Sequence, residues 1–359
     1  MTQTTPRTWV SAALAGHAPP FPDPPDAEAF ADSIIRVAVE EGVAALLHYR
    51  LDQTGSWVKL PDCVHLRLQA RARLLAAGEM AVQHELRQVL SEFEARDIPH
   101  LLIKGAPLAQ VLYPAPHLRE RCDTDIVFPD RESANAAWRL LEARGYERQN
   151  AVEGETISTQ FAAYRTLPSQ AVSTFDIHWR LNNSWRIAAV FEFDELFGRS
   201  AAVRELHENA RMPSLTDSLV IACLHRAGHR ADNEHNRLIW LYDIHLLWAA
   251  LDADDLDTLA ALCREKRVSR AVLDGLEAAR AHFGTKLPRE LTEELAADRS
   301  AQAVDPDDYA SAWRRELGQL RALPTFGRRV AHVVDNLFPS RDYIMKKYGA
   351  TSAWRLPWL

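Results

Sequence analysis

From Asp26 onward, apolar residues recur at spacings of three and four through Phe30, Ile34, Ile35, Val37, Val39, Ala44 and Leu46, which predicts an amphipathic helix. A second long helix is expected over 63–96, where Ala, Leu, Glu, Gln and Arg dominate and Gly78 is the one glycine. Upstream, 17–25 (His-Ala-Pro-Pro-Phe-Pro-Asp-Pro-Pro) holds too many prolines to be helical. Near residue 98 the period changes. Pro99-His-Leu-Leu-Ile-Lys104 is a short apolar run bounded by Pro and Gly, read as a buried strand, and Gly105 opens a short helix over 106–112 that ends before Pro114. The next strand is expected at 125–128, a helix at 131–144 stopped by Gly145, and further strands at 156–166 and 171–179.

After 185 the helical period returns. Ser214-Leu-Thr-Asp217 has the form of a capping box with Asp in place of Glu, opening a helix to about 230. Helices over 236–250, 255–266 and 268–283 follow, and the apolar tail 326–359, with Trp354 and Trp358, is expected to dock onto the body. The fold class is therefore α+β: a small sheet with helices at 98–185, embedded between helical regions at 1–97 and 186–359.

Composition narrows the function classes. The 359 residues are 47% hydrophobic and 25% charged, the balance of a globular chain with a sizeable core. A net charge of -7 gives no global field toward nucleic acid or anionic lipid. Four scattered cysteines without a CxxC pair argue against a zinc ribbon or a disulfide scaffold, and suit a reducing cytoplasm. The first residues lack a basic segment followed by an apolar one, so no signal peptide is read, and no apolar run approaches the roughly 20 residues a membrane span needs.

The candidate chemistry centres on Arg121-Cys-Asp-Thr-Asp-Ile-Val-Phe128. Residues two apart on a strand share a side, so Asp123 and Asp125 present two carboxylates together at the mouth of an apolar strand. A hard cation would relieve their repulsion. A solvated turn with two acids fits the bare pattern as well. Asp176, in Thr174-Phe-Asp-Ile-His-Trp179, is an acid inside an alternating strand and could add a third metal-facing carboxylate or pair with an arginine. Lys104-Gly105 stands at a strand-to-helix transition, where free N–H groups and a lysine suit phosphate. Arg119 and Arg121 could clamp phosphates or serve as counter-ions for the acids. His178 shares the face of Asp176, either at the site or as a hydrogen-bonded core histidine. His225 and His229, four apart on one helix, lack the Glu of a His-Glu-x-x-His motif and a clear third zinc ligand, so they line a polar groove or pair structurally, as does Asp243 with an arginine or histidine.

The order of strand, glycine, helix, Asp-x-Asp strand and later lone acid resembles the DNA polymerase β-like nucleotidyltransferase superfamily. Within it, Leu102-Ile-Lys-Gly-Ala106, Leu112-Tyr-Pro, the arginine before Asp-x-Asp, Asp176-Ile-His-Trp-Arg180, the histidine-bearing helix and Leu337-Phe-Pro-Ser-Arg-Asp-Tyr343 are similar to a family of mostly uncharacterised bacterial nucleotidyltransferases. The resemblance implies a mixed nucleotidyltransferase-type sheet, and a transferase with Asp123, Asp125 and Asp176 as catalytic metal ligands for Mg²⁺ or Mn²⁺. It further implies that Lys104, Gly105, Arg119, Arg121 and His178 lie about a bound NTP such as ATP. The superfamily's Gly-Ser is Gly105-Ala106 here, and the interval to Asp123 is longer than in its compact form. The NTP donates NMP to an acceptor hydroxyl or phosphate; a small molecule or protein suits the acidic chain better than long nucleic acid. A nucleotide-binding scaffold without turnover, and a toxin-type enzyme acting on a protein or tRNA, are the rival readings.

Overall fold

The alternation of Val172–His178 builds the middle of a five-stranded sheet. In the computed structural model, which describes residues 4–21, 27–149, 158–232 and 234–337, the strands are β1 (Leu101–Ile103), β2 (Thr124–Val127), β3 (Glu147–Arg148), β4 (Gln160–Thr166) and β5 (Val172–His178). Their order is β1-β2-β5-β4-β3. The central pair β2·β5 is parallel and the other neighbours are antiparallel, so the sheet is mixed. Leu102, Ile126, Phe161, Ala163, Phe175 and Ile177 fill one face and share a core with Leu86 and Phe93 of helix α4 (Asp62–Glu94) and Ala137 and Leu141 of α6 (Arg131–Ala143). The opposite face keeps its polar side chains. The two-residue strand β3 was not foreseen, being too short to show a period.

The helical regions follow the sequence with one correction and one additional helix near the N-terminus. The expected run from Asp26 to Leu46 is two helices, α2 (Ala27–Glu40) and α3 (Ala44–Gln53). Gly42 adopts a φ of 70°, open to glycine at little cost, and Val43 N–H returns to the Ala38 carbonyl at 2.8 Å, closing the helix end. Helix α1 (Pro6–Leu14), also unforeseen, starts at Thr5, whose side chain accepts from Thr8 N–H, with Pro6 in the first turn. The short α5 (Gly105–Val111) follows β1 as expected. Beyond the sheet come α7 (Trp185–Ala188), α8 (Phe193–Gly198), α9 (Leu215–Gly228), α10 (Leu238–Ala250), α11 (Ala253–Lys266) and α12 (Ser269–Phe283). In the Ser214 cap, Asp217 accepts the serine hydroxyl and pairs with Arg199, instead of reaching back to the Ser214 backbone. The end of the proline-rich stretch, the first residues of the 156–166 strand and the tail from 338 lie outside the described residues. Among the described residues no helix is long and apolar enough to cross a membrane.

Three consecutive side chains fasten the loop before β2 to three helices. Arg119 grips Asp243 of α10, with Nη2 2.6 Å from Oδ2, and Tyr113 donates its hydroxyl to Oδ1 of the same aspartate at 2.7 Å. Glu120 Oε1 accepts the first backbone N–H groups of α3, from Ala44 at 2.7 Å and Ala45 at 3.2 Å. Arg121 reaches Glu79 of α4 at 3.0 Å. Arg119 and Asp243 are buried, and removing one member of such a pair strands the other's charge. Asp243→Ala should therefore cost about 3–5 kcal/mol in denaturant unfolding, and Arg119→Met/Asp243→Leu together should recover much of the loss.

Candidate active site

Register brings the acids together. Asp125 on β2 lies directly beside Asp176 on β5, and Val127 beside His178, so Asp125, Asp176 and His178 stand on the polar face. Their ligand atoms all lie within 4.8 Å of one another. Asp123 comes one residue before β2 and is outside that group, half-buried in the wall of the same cavity. Gln160 on β4 approaches the Asp176 carboxylate, with Nε2 3.4 Å from Oδ2.

Lys104 ends β1 with a φ of 58° and a ψ of −129°, a backbone that a side-chain-bearing residue adopts at a cost of roughly 1–3 kcal/mol. The kink delivers Nζ to Asp125 Oδ1 at 2.6 Å. The same oxygen lies 3.1 Å from His178 Nε2, leaving Oδ2 free of hydrogen bonds from the described residues. Gly105 has a packing reason to lack a side chain, since a Cβ there would meet the Arg119 guanidinium at 3.2 Å. Arg119 itself is committed to Asp243, with Nη1 donating to the Glu120 carbonyl at 2.7 Å. Arg121 donates to the Asp123 carbonyl at 2.9 Å and to the Thr124 hydroxyl, fixing the turn that presents the acids. Both arginines thus touch the cavity while their guanidinium groups serve the scaffold.

Electrostatics divides the three carboxyls. Burial alone would raise the pKa of Asp125, but the Lys104 ammonium and the His178 hydrogen bond outweigh it and hold the carboxyl well below the usual range. Burial would lower the pKa of Lys104, but the charge and hydrogen bond of Asp125, with the charges of Asp123 and Asp176, outweigh that cost and raise it. Asp123 is raised by burial and by the charge of Asp125. Asp176 is pushed up to about 6, first by burial and then by Asp125 and Asp123, against the opposing pull of His178 and Lys104. One carboxylate is neutralised and two are crowded. The donor set fits a divalent cation: two carboxylates and an imidazole nitrogen converge, and a positive charge would relieve the repulsion that raises Asp176.

The cavity in front of this face measures about 540 Å³, within the range of small-molecule sites. Besides Lys104, Gly105 and the acids, it is lined by His225 of α9, His229 at the C-terminal cap of that helix and Trp240 of α10. These three rings pack together with centroids 4.6–5.0 Å apart. Strand period puts His178 on the face of Asp176, and the fold brings it within reach of both acids; Gln160 and Trp240, which carry no local sequence signal, join the cavity only through the fold.

A model of an uncharacterised nucleotidyltransferase family matches residues 28–284. No curated protein matches the chain. The match spans the sheet, the acids and helices α9 to α12.

The elevated Asp176 pKa has a stability consequence. The folded protein binds this proton more tightly than the unfolded chain, so the penalty for ionising Asp176 grows as pH rises from the ordinary carboxyl value toward 6 and is complete above it. In metal-free buffer Asp176→Asn should be more stable than the parent by about 1–3 kcal/mol at pH 7.5. The gain should shrink toward pH 4, as urea unfolding at the two pH values would show.

Proposed function

Because this chain belongs to the uncharacterised nucleotidyltransferase family, we propose that it moves NMP from an NTP to an acceptor hydroxyl or phosphate on a polymerase β-like core. The observation that carries the reading is the in-register meeting of Asp125 and Asp176 on neighbouring parallel strands, beside Lys104 at a strand-to-helix turn. Asp125 and Asp176 would hold Mg²⁺ or Mn²⁺ with His178 or Asp123 completing the set. A cation held there supplies charge neutralisation at the α-phosphate and lowers the pKa of an acceptor hydroxyl. Lys104 offers a mobile point charge for phosphate once it leaves Asp125. Asp176, at the edge of the proposed cation position, can also take the proton that the acceptor gives up. Arg121 holds the turn that presents the acids and lines the cavity beside them. ATP is a candidate donor, and a small molecule or a protein hydroxyl suits a cavity of about 540 Å³ in an acidic chain better than long nucleic acid. All four cysteines are free, which suits a reducing cytoplasm.

A second reading, nucleotide binding without turnover, is favoured by one observation: buried Ala106 brings no hydroxyl to the turn where the superfamily has serine.

Incubation with each α-labelled NTP, Mg²⁺ or Mn²⁺ and a cell extract should place label on one acceptor fraction. Asp125→Asn and Asp176→Asn should each lower transfer by at least about 1,000-fold while the protein stays folded by circular dichroism. Label transferred at parental rate by the double variant would sink the assignment; binding of NTP with no transfer to any fraction would favour the second reading.

A further inference from the structure

The arginines that line this cavity are engaged elsewhere: Arg315 pairs with Asp232, and Arg237 donates to the Glu40 carbonyl and lies over the Trp240 ring. Arg119 places Nε and Nη2 on Asp243 and Nη1 on the Glu120 carbonyl, and Arg121 is divided between Glu79, the Asp123 carbonyl and Thr124. Lys104 is one cation, already paired with Asp125. A polyphosphate presents several anionic oxygens and needs more donors than that.

Two imidazoles, one on α9 and one at its C-terminal cap, can provide them. His225 and His229 are one helical turn apart and both line the cavity. His225 Nδ1 is buried with no hydrogen-bond partner among the described residues, so a proton there would be an unsatisfied buried donor. The proton is better placed on Nε2, making that nitrogen a donor. His229 turns Nδ1 toward Asp232, 3.8 Å from Oδ2, which likewise leaves Nε2. Trp240 packs against both rings and fixes their planes. Both histidines sit near enough to Lys104 for its charge, after burial, to depress their pKa values. Both histidines and Lys104 line the same cavity, so one anion bound there can meet all three.

Resting on the nucleotidyltransferase reading, we propose that His225 and His229 form, with Lys104, the subsite that receives the β- and γ-phosphates of the donor, in the place left by the committed arginines. The rings then select for the polyphosphate and not for the base.

The test is calorimetric titration with magnesium tripolyphosphate and, separately, with magnesium NTP and with adenosine, on the full chain. The parent should bind tripolyphosphate, and His225→Leu and His229→Leu should each weaken it about tenfold or more. His225→Gln, which keeps an N–H donor, should recover part of the loss. If His225→Leu fails to fold by thermal melting, the more exposed His229→Leu alone decides. Tripolyphosphate affinity unchanged in the folded variants overturns the inference, as does a loss confined to NTP and adenosine, which would make the rings a base platform. Failure of the parent to bind tripolyphosphate while it still transfers label from NTP overturns the inference and leaves the transferase reading standing; loss of both removes the two together.

Discussion

Arg119, Glu120 and Arg121, three successive charged residues, are each fastened to a different helix, and the position of the acids depends on that attachment. Arg119 reaches α10, Glu120 caps α3 and Arg121 reaches α4. A loop would otherwise be among the more mobile parts of a fold. Here it is pinned on three sides, and Arg121 also holds the Asp123 carbonyl. Helices far apart in sequence are thereby tied to one turn. The smaller hydrophobic cluster shows the same tie in apolar form, since Trp9, Leu46 and Leu68 share it with Leu118, Leu238 and Tyr242.

What the pinned loop presents is electrostatic tension. Asp125 is neutralised from within by Lys104 and His178, while Asp123 and Asp176 keep raised carboxyls close by. Crowding of acids on the polar face of an otherwise apolar sheet costs stability, as does the left-handed backbone of Lys104. Such costs collect where a site must be ready for a ligand that brings the missing charge. The histidine and tryptophan wall from α9 and α10 faces the same cavity, so the helical region after the sheet contributes to the site as well as to the core.

Much of the fold was legible because it rests on local period: the long helix α4, the strand–glycine–helix turn at 101–111, the Asp-x-Asp strand and the alternating β5 all follow from spacing. The α2–α3 break was missed because the apolar pattern runs across Gly42, and only its positive φ ends the helix. At the site, Asp125 and Asp176 were legible as acids out of place on strands. Their juxtaposition depends on β5 pairing parallel with β2, which is a tertiary fact. For the same reason sequence could not decide between the phosphate and counter-ion roles of Arg119: its partner Asp243 lies more than a hundred residues away.

If Asp125 and Asp176 form the proposed cation site completed by nucleotide, electron paramagnetic resonance of Mn²⁺ titrated into the protein, with and without NTP, will show it. The parent should remove free Mn²⁺ from solution, NTP should tighten this binding, and Asp125→Asn/Asp176→Asn should abolish both effects. Mn²⁺ binding that is equal in parent and double variant, or no binding even with NTP present, would rule the site out.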